Sequence, residues 1–235
     1  MTKLSVVLPV YNERNNIEIV VKEWKEKLDK LKIEHELIIC EDGSTDGTSE
    51  FLRQIKNRYS LILNQAQKRR SYGGAVIDGI KSAKCKHILC VDSDGQCDPN
   101  DFSKFWKNRN KADIIIGWRE KRADSFQRKV YSNLFKIIFK LLFPVKIHDP
   151  SAPFVLFQKQ SVLKLDKHLK FLKEGFWWGF IAASYKLNFT ICEISVSHRK
   201  RLSGQTVVYQ FQKIPSIAVR NLIGLIKLKI KTVTQ

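Results

Sequence analysis

From Leu4 to Val10 the chain reads LSVVLPV, an almost continuous β-prone run, and then turns polar at YNE. From Asn15 to Leu31 the apolar residues return at helical spacing. The same alternation continues along the first half. Strands are predicted at Glu36–Cys40, Ser60–Leu63, His87–Val91 and Ala112–Gly117, with helices at Thr45–Asn57, Ser71–Ala83 and Asn100–Asn108. Strands that are apolar throughout and separated by helices imply a parallel sheet covered on both faces. Such a sheet binds ligands beyond the carboxyl ends of its strands. The polar stretches YNE, EDGSTDGT and DSDGQ all fall there.

The second half is less regular. Ser125–Phe143 reads as a long helix, apolar nearly all round, with a thin basic stripe of Lys129, Lys136 and Lys140. One reading is a helix facing lipid on one side; the other is a core helix whose lysines snorkel to water. Phe154–Phe157 and Phe189–Val196 read as strands, Phe176–Tyr185 as a helix, and Val207–Lys231 as a basic amphipathic helix or helix pair. The expected division is a catalytic unit over residues 1–206 followed by a membrane-surface segment over 207–235.

Charge sharpens this picture. In 235 residues, 42 Lys and Arg face 23 Asp and Glu, a formal charge of +19. Such a surface attracts polyanions: nucleic acid, an acidic membrane or phosphorylated substrates. No acidic residue follows Glu193, while basic and apolar residues alternate to the end, a pattern suited to a helix lying on an anionic membrane. A nucleic-acid-binding protein would account for the charge. It would not account for three acidic clusters at strand ends, which repel phosphates unless a cation intervenes.

The five cysteines form no C-x-x-C pair, which argues for a reducing compartment and against a zinc site. No signal peptide is evident, and no apolar run reaches the roughly 18 residues of a membrane span. The expectation is a peripheral protein on the cytoplasmic face of a membrane.

The chemistry concentrates in a few places. Asp92 and Asp94 lie one residue apart just past an apolar strand, with Gly95 permitting a tight turn. Two carboxylates so placed suit Mg2+ or Mn2+, which bind hard oxygens together with substrate phosphates. An ordinary acidic turn has the same look. Asp98-Pro99 reads as a helix N-cap with a first-turn proline. In EDGSTDGT the carboxylates suit ribose hydroxyls or base N–H groups, with Asp46 and Thr48 as possible helix caps. Tyr11 suits stacking on a base, and Glu13 suits a ribose.

Taken together, VVLPVYNE, IICEDGSTDGT, SYGGAVIDGIKSA, DSDGQCDP, IIIGWREKRAD and SHRKRLSG resemble the nucleotide-sugar glycosyltransferases of family 2, over roughly residues 3–206. The nearest likeness is to the dolichol-phosphate mannose synthase-like polyprenyl-phosphate glycosyltransferases. The resemblance implies a GT-A fold: a Rossmann-like α/β unit with a mostly parallel sheet flanked by helices, here followed by C-terminal amphipathic helices. It implies an inverting, metal-dependent transfer from a GDP- or UDP-linked sugar to a polyprenyl phosphate such as dolichyl or undecaprenyl phosphate. By position, Pro9, Tyr11, Glu13 and Asp42 fall where the family holds the nucleoside, and Gly73 and Gly74 beside the nucleotide. Asp92 and Asp94 fall where it binds Mg2+ or Mn2+, and Gln96 near the donor sugar or metal. Arg119, Arg122, Arg128, Arg199 and Arg201 fall among basic positions that hold acceptor phosphate or donor diphosphate.

Two departures bear on the acceptor. Many relatives carry a carboxylate near FWWGFIAASY as base for an alcohol; here Trp177, Trp178, Gly179 and Phe180 stand there, and Glu174 is the nearest acid. An anionic phosphate needs no such base, so the departure favours a lipid phosphate over a glycan or other alcohol. HDPSAPFVLF places Ala152 and Pro153 where the family commonly has glycine, while Asp149 keeps the matching acid. A membrane-protein partner subunit fits a chain without an anchor of its own.

Overall fold

The computed structural model describes residues 3–121, 126–169, 175–202 and 214–230. Its centre is a seven-stranded sheet in the order β3-β2-β1-β4-β6-β5-β7. The strands are β1 (Leu4–Val10), β2 (His35–Glu41), β3 (Leu61–Gln65), β4 (His87–Cys90), β5 (Ile114–Arg119), β6 (Val155–Gln158) and β7 (Ile191–Val196). Strands β3, β2, β1 and β4 pair in parallel, as do β5 and β7. Between the two parallel groups β6 runs antiparallel to both neighbours.

Strand alternation sends successive side chains to opposite faces, and the two cores follow it. Leu4, Val6, Leu8 and Val10 enter one core with Leu37, Ile39, Leu89 and Leu156. Helices α1 (Ile17–Lys30), α2 (Thr48–Tyr59) and α4 (Phe102–Asn108) cover that face through Trp24, Leu52 and Phe105. Val7, Ile38, Ile88, Ile116 and Phe157 enter the other core. It is covered by α3 (Tyr72–Ser82), α5 (Phe126–Leu142), α8 (Phe176–Lys186) and α9 (Ile214–Ile230). Both faces of each central strand are therefore buried, which is why these runs are apolar throughout.

The expected elements appear with shifts of a few residues at their ends. The sequence reading has no counterpart for α6 (Lys159–Leu163) and α7 (Asp166–Leu169), which are too short to carry a helical period. Of the expected Val207–Lys231 segment, Ile214–Ile230 is described, as α9. It is packed onto the sheet's own core: Leu225 and Leu228 sit there, and Lys186 Nζ donates to the Leu228 carbonyl near the end of the helix. Lysine there satisfies a carbonyl the helix leaves unpaired.

Helix α5 is buried along one side only. Phe139 is buried and Phe135 and Leu142 pack against the core, while Val130, Leu134, Ile137 and Leu141 are exposed on the opposite side. No helix among the described residues is long and apolar enough to cross a membrane.

Candidate active site

Parallel strands place their carboxyl ends on one edge, and this edge collects the polar loops. The loop after β1 carries Tyr11 and Glu13, that after β2 Asp42, and that after β4 Asp92 and Asp94. Arg119 ends β5, and the segment leaving β7 brings Arg199 and Arg201. Because β6 is antiparallel, the residues entering it, Asp149 to Ser151, reach the same edge.

The loops are tied to one another. Asn12 Oδ1 accepts from the Thr45 N–H at 2.9 Å, and Thr48 Oγ1 accepts from the Glu13 N–H at 3.0 Å. Asp46 accepts from the Thr48 N–H at 3.0 Å, but neither expected residue is the cap of α2: Gly47 holds that position, with no side chain to accept from the helix. Ser93 Oγ donates to the Pro9 carbonyl at 2.8 Å, fixing the turn after β4 against β1. Gly95 has φ of 78°, and a Cβ there would lie 2.5 Å from Leu202 Cδ1. Only glycine lets the segment leaving β7 close over that turn. Asp98 accepts from the Asn100 N–H at 2.8 Å, as its N-cap reading requires.

One side of the edge is built around Asp42. It is 2% exposed and accepts from the Arg70 N–H at 2.6 Å, with Arg69 Nε at 3.8 Å. Burial raises its pKa, and the neighbouring arginines offset part of that rise. The Arg69 guanidinium lies 4.0 Å above the Tyr11 ring. Gly73 is buried in the first turn of α3, and a Cβ on Gly74 would lie 3.0 Å from Arg70 Cβ. Arg69 and Arg70 were not among the expected site residues. Their arrival beside Asp42 depends on the path from β3 to α3, which no local spacing encodes.

Asp92 and Asp94 stand side by side, as the D-x-D spacing implies. Burial and the charge of Asp94 push the Asp92 carboxyl up to about 7. Arg201 bridges Asp94, at 3.2 Å, and the buried Glu13. Burial raises the Glu13 carboxyl, with Asn16 and Arg201 opposing. The donor set for a cation is thus two hard carboxylates with Gln96 nearby. Among the described residues no cluster of three or more His, Cys, Asp or Glu could hold a metal alone. Two carboxylates fit Mg2+ or Mn2+ when a diphosphate completes the shell.

The remaining arginines divide. Arg119 makes a two-pronged pair with Asp149, Nε to Oδ2 at 2.7 Å and Nη2 to Oδ1 at 3.0 Å, and also reaches Ser151 Oγ. Both partners are largely buried, and removing one from such a pair costs about 3–5 kcal/mol. Arg199 faces away from the D-x-D carboxylates expected to share a ligand with it. It pairs with Glu23 on α1 at 2.6 Å and donates to the carbonyls of Gly95 and Cys97, anchoring the segment that carries Arg201. Gln96 likewise donates to the Arg199 carbonyl at 3.2 Å. Arg122 and Glu174 lie outside the described residues, and Arg128 is placed only as part of α5.

A contact absent from the sequence reading closes the floor of the site. Tyr72 Oη donates to Asp92 Oδ1 at 2.7 Å, and Trp177 Nε1 donates to Tyr72 Oη at 2.7 Å.

Comparison with known proteins agrees with this architecture. The family model described as Glycosyl transferase family 2 matches residues 5–166. The dodecaprenyl-phosphate galacturonate synthase of Rhizobium johnstonii is 28% identical over 211 residues, covering 86% of this chain and 60% of that protein. The dolichyl-phosphate beta-glucosyltransferase of Dictyostelium discoideum is 28% identical over 251 residues, covering 96% of this chain and 77% of that protein. Among solved structures, Mycobacterium tuberculosis glucosyl-3-phosphoglycerate synthase in complex with Mn2+, UDP-glucose and phosphoglyceric acid superposes with a TM-score of 0.72. That match has 15% identity and covers 99% of this chain and 81% of that one. At that identity the likeness is one of fold.

Proposed function

The chain belongs to glycosyl transferase family 2, and on that premise we propose that it transfers a sugar from a nucleotide diphosphate to a polyprenyl phosphate, with inversion, at a membrane surface. The observation that carries the reading is the convergence of Glu13, Asp42, Asp92 and Asp94 with Arg119 and Arg201 on one sheet edge. Carboxylates suit the nucleoside hydroxyls and a cation; arginines suit phosphates, which they grip through a planar fork.

In this reading Asp42 and Glu13 orient the nucleoside, and Asp92 and Asp94 hold Mg2+ or Mn2+ against the donor diphosphate. The bound cation stabilises the charge that gathers on the leaving diphosphate. Arg201 already lies against Asp94, within the volume where that diphosphate would sit. Arg119, held rigid by Asp149, supplies fixed positive charge toward the acceptor side, together with Arg122 and Arg128. Helix α8 packs into the core with Phe176, Trp178 and Phe180, reaches the site through Trp177 and Tyr72, and bears no carboxylate along Phe176–Lys186. An acceptor that is already an anion suits a helix without a carboxylate, since it has no proton to lose. The named activities of the two relatives, both on polyprenyl phosphates, support the same choice.

The exposed apolar side of α5 and its neighbour α9 supports peripheral membrane contact. The nucleotide, GDP or UDP, and the need for a membrane partner subunit belong to the same proposal. The test is sugar transfer with purified protein, a donor panel and a short-chain polyprenyl phosphate. Asp92→Asn and Asp94→Asn should each abolish transfer while leaving the fold intact, and EDTA should abolish transfer by the unaltered protein. Full transfer in EDTA by an active Asp94→Asn variant would overturn the cation assignment.

A further inference from the structure

The hydrogen-bond chain under the D-x-D turn has a definite direction. An indole N–H can only donate, so the 2.7 Å contact from Trp177 Nε1 occupies a lone pair of Tyr72 Oη. The single Tyr72 proton is then free for one acceptor, and Asp92 Oδ1 lies 2.7 Å away. Asp92 Oδ2 accepts no hydrogen bond from the described residues. One carboxylate oxygen is thus tied down and its twin is left open.

The chain is also rigid at its far end. Trp177 meets Phe176 and Phe180 edge-on, at centroid distances of 5.0 and 5.3 Å, and Tyr72 meets Phe176 edge-on at 6.3 Å. These rings belong to the core that α8 and α3 share. The two elements reach Asp92 from separate parts of the fold, since Tyr72 is 20 residues from Asp92 and Trp177 is 105 residues from Tyr72.

We propose that Tyr72, aimed by Trp177, is a positioning residue for Asp92: it holds Oδ1 so that Oδ2 is presented to the divalent cation shared with the donor diphosphate. The inference rests on the cation reading above. Partners that orient a metal-binding group in this way typically alter metal affinity about 10- to 100-fold when removed.

The experiment is a Mn2+ titration followed by electron paramagnetic resonance, on the full chain, in excess UDP and separately in excess GDP. Asp92→Asn serves as the reference. Tyr72→Phe should weaken Mn2+ binding by about 10- to 100-fold, and nucleotide binding in EDTA should be unchanged. Trp177→Phe, which keeps an aromatic ring but removes the donor, should shift Mn2+ affinity in the same direction by less. The Tyr72→Phe/Asp92→Asn double variant should be no weaker than Asp92→Asn alone, because residues acting through one another are not additive. Thermal midpoints identify any variant whose loss is one of folding, and Trp177→Phe then carries the test.

If Asp92→Asn loses Mn2+ while Tyr72→Phe and Trp177→Phe bind it as the unaltered protein does, the positioning role is refuted and the cation site stands. If Asp92→Asn itself binds Mn2+ normally, the cation reading falls and this inference with it.

Discussion

Asp92 is the residue on which the chemistry and the stability of the site meet. Burial and Asp94 both oppose its charge and push its carboxyl up to about 7 in the native chain, against ~3.9 for an Asp in an unfolded chain. Between those values the native state holds a proton that the unfolded state has lost. Its contribution to stability therefore falls as pH rises through that window. Without metal, the thermal midpoint of the unaltered protein should drop from pH 5 to pH 8 by more than that of Asp92→Asn. Mn2+ should raise the midpoint of the unaltered protein most at pH 8, where the carboxylate is ionised. Parallel pH profiles for the two proteins would contradict this account of the site. The D-x-D pair was legible in the sequence because both residues share one turn. Arg69, Arg70, Tyr72 and Trp177 were not legible as partners of Asp42 and Asp92, because the sheet order alone brings them there. Arg199 illustrates the converse: nearness to Arg201 suggested a shared ligand, yet the Arg199 guanidinium is taken up by Glu23 on α1 and by the carbonyls of Gly95 and Cys97.

At the scale of elements, α5 and α9 pack on each other and each leaves an apolar stripe outside. On α5 it is Val130, Leu134, Ile137 and Leu141; on α9 it is Val219, Ile223, Ile226 and Ile230. Each stripe follows helical spacing on the side away from the core. Lys140 on α5 and Lys227 and Lys229 on α9 accompany it, a combination that suits an anionic bilayer. Vesicles rich in anionic lipid should bind the protein, and binding should weaken as salt is raised, with about 1 kcal/mol for each basic residue near the surface. Leu134→Glu combined with Ile223→Glu should release it with little change in thermal midpoint, since neither side chain enters the core. Unchanged vesicle binding by that double variant would assign membrane contact elsewhere. The apolar and basic positions of both helices were readable in the sequence. The direction of β6 was not: a four-residue apolar strand carries no mark of its orientation, and pairing with β4 and β5 decides it.

For the whole molecule, one sheet edge gathers the carboxylates of Glu13, Asp42, Asp92 and Asp94 with Arg119 and Arg201, and α5 and α9 cover the adjoining face. Alternation of strands and helices was enough to place the three polar loops at that edge. The acceptor side rests on residues contributed after β5, where the chain is less periodic and the pattern says less. The central claim is that the acceptor is a lipid phosphate. The most direct measurement supplies the purified protein with Mn2+, its preferred nucleotide sugar and either a short-chain polyprenyl phosphate or the matching polyprenol, and identifies the product by mass spectrometry. The account predicts a sugar-phosphate-polyprenyl product with inverted anomeric configuration, no product from the polyprenol, and little loss in Glu174→Gln. Efficient transfer to the polyprenol or to a sugar alcohol, abolished by Glu174→Gln, would contradict it.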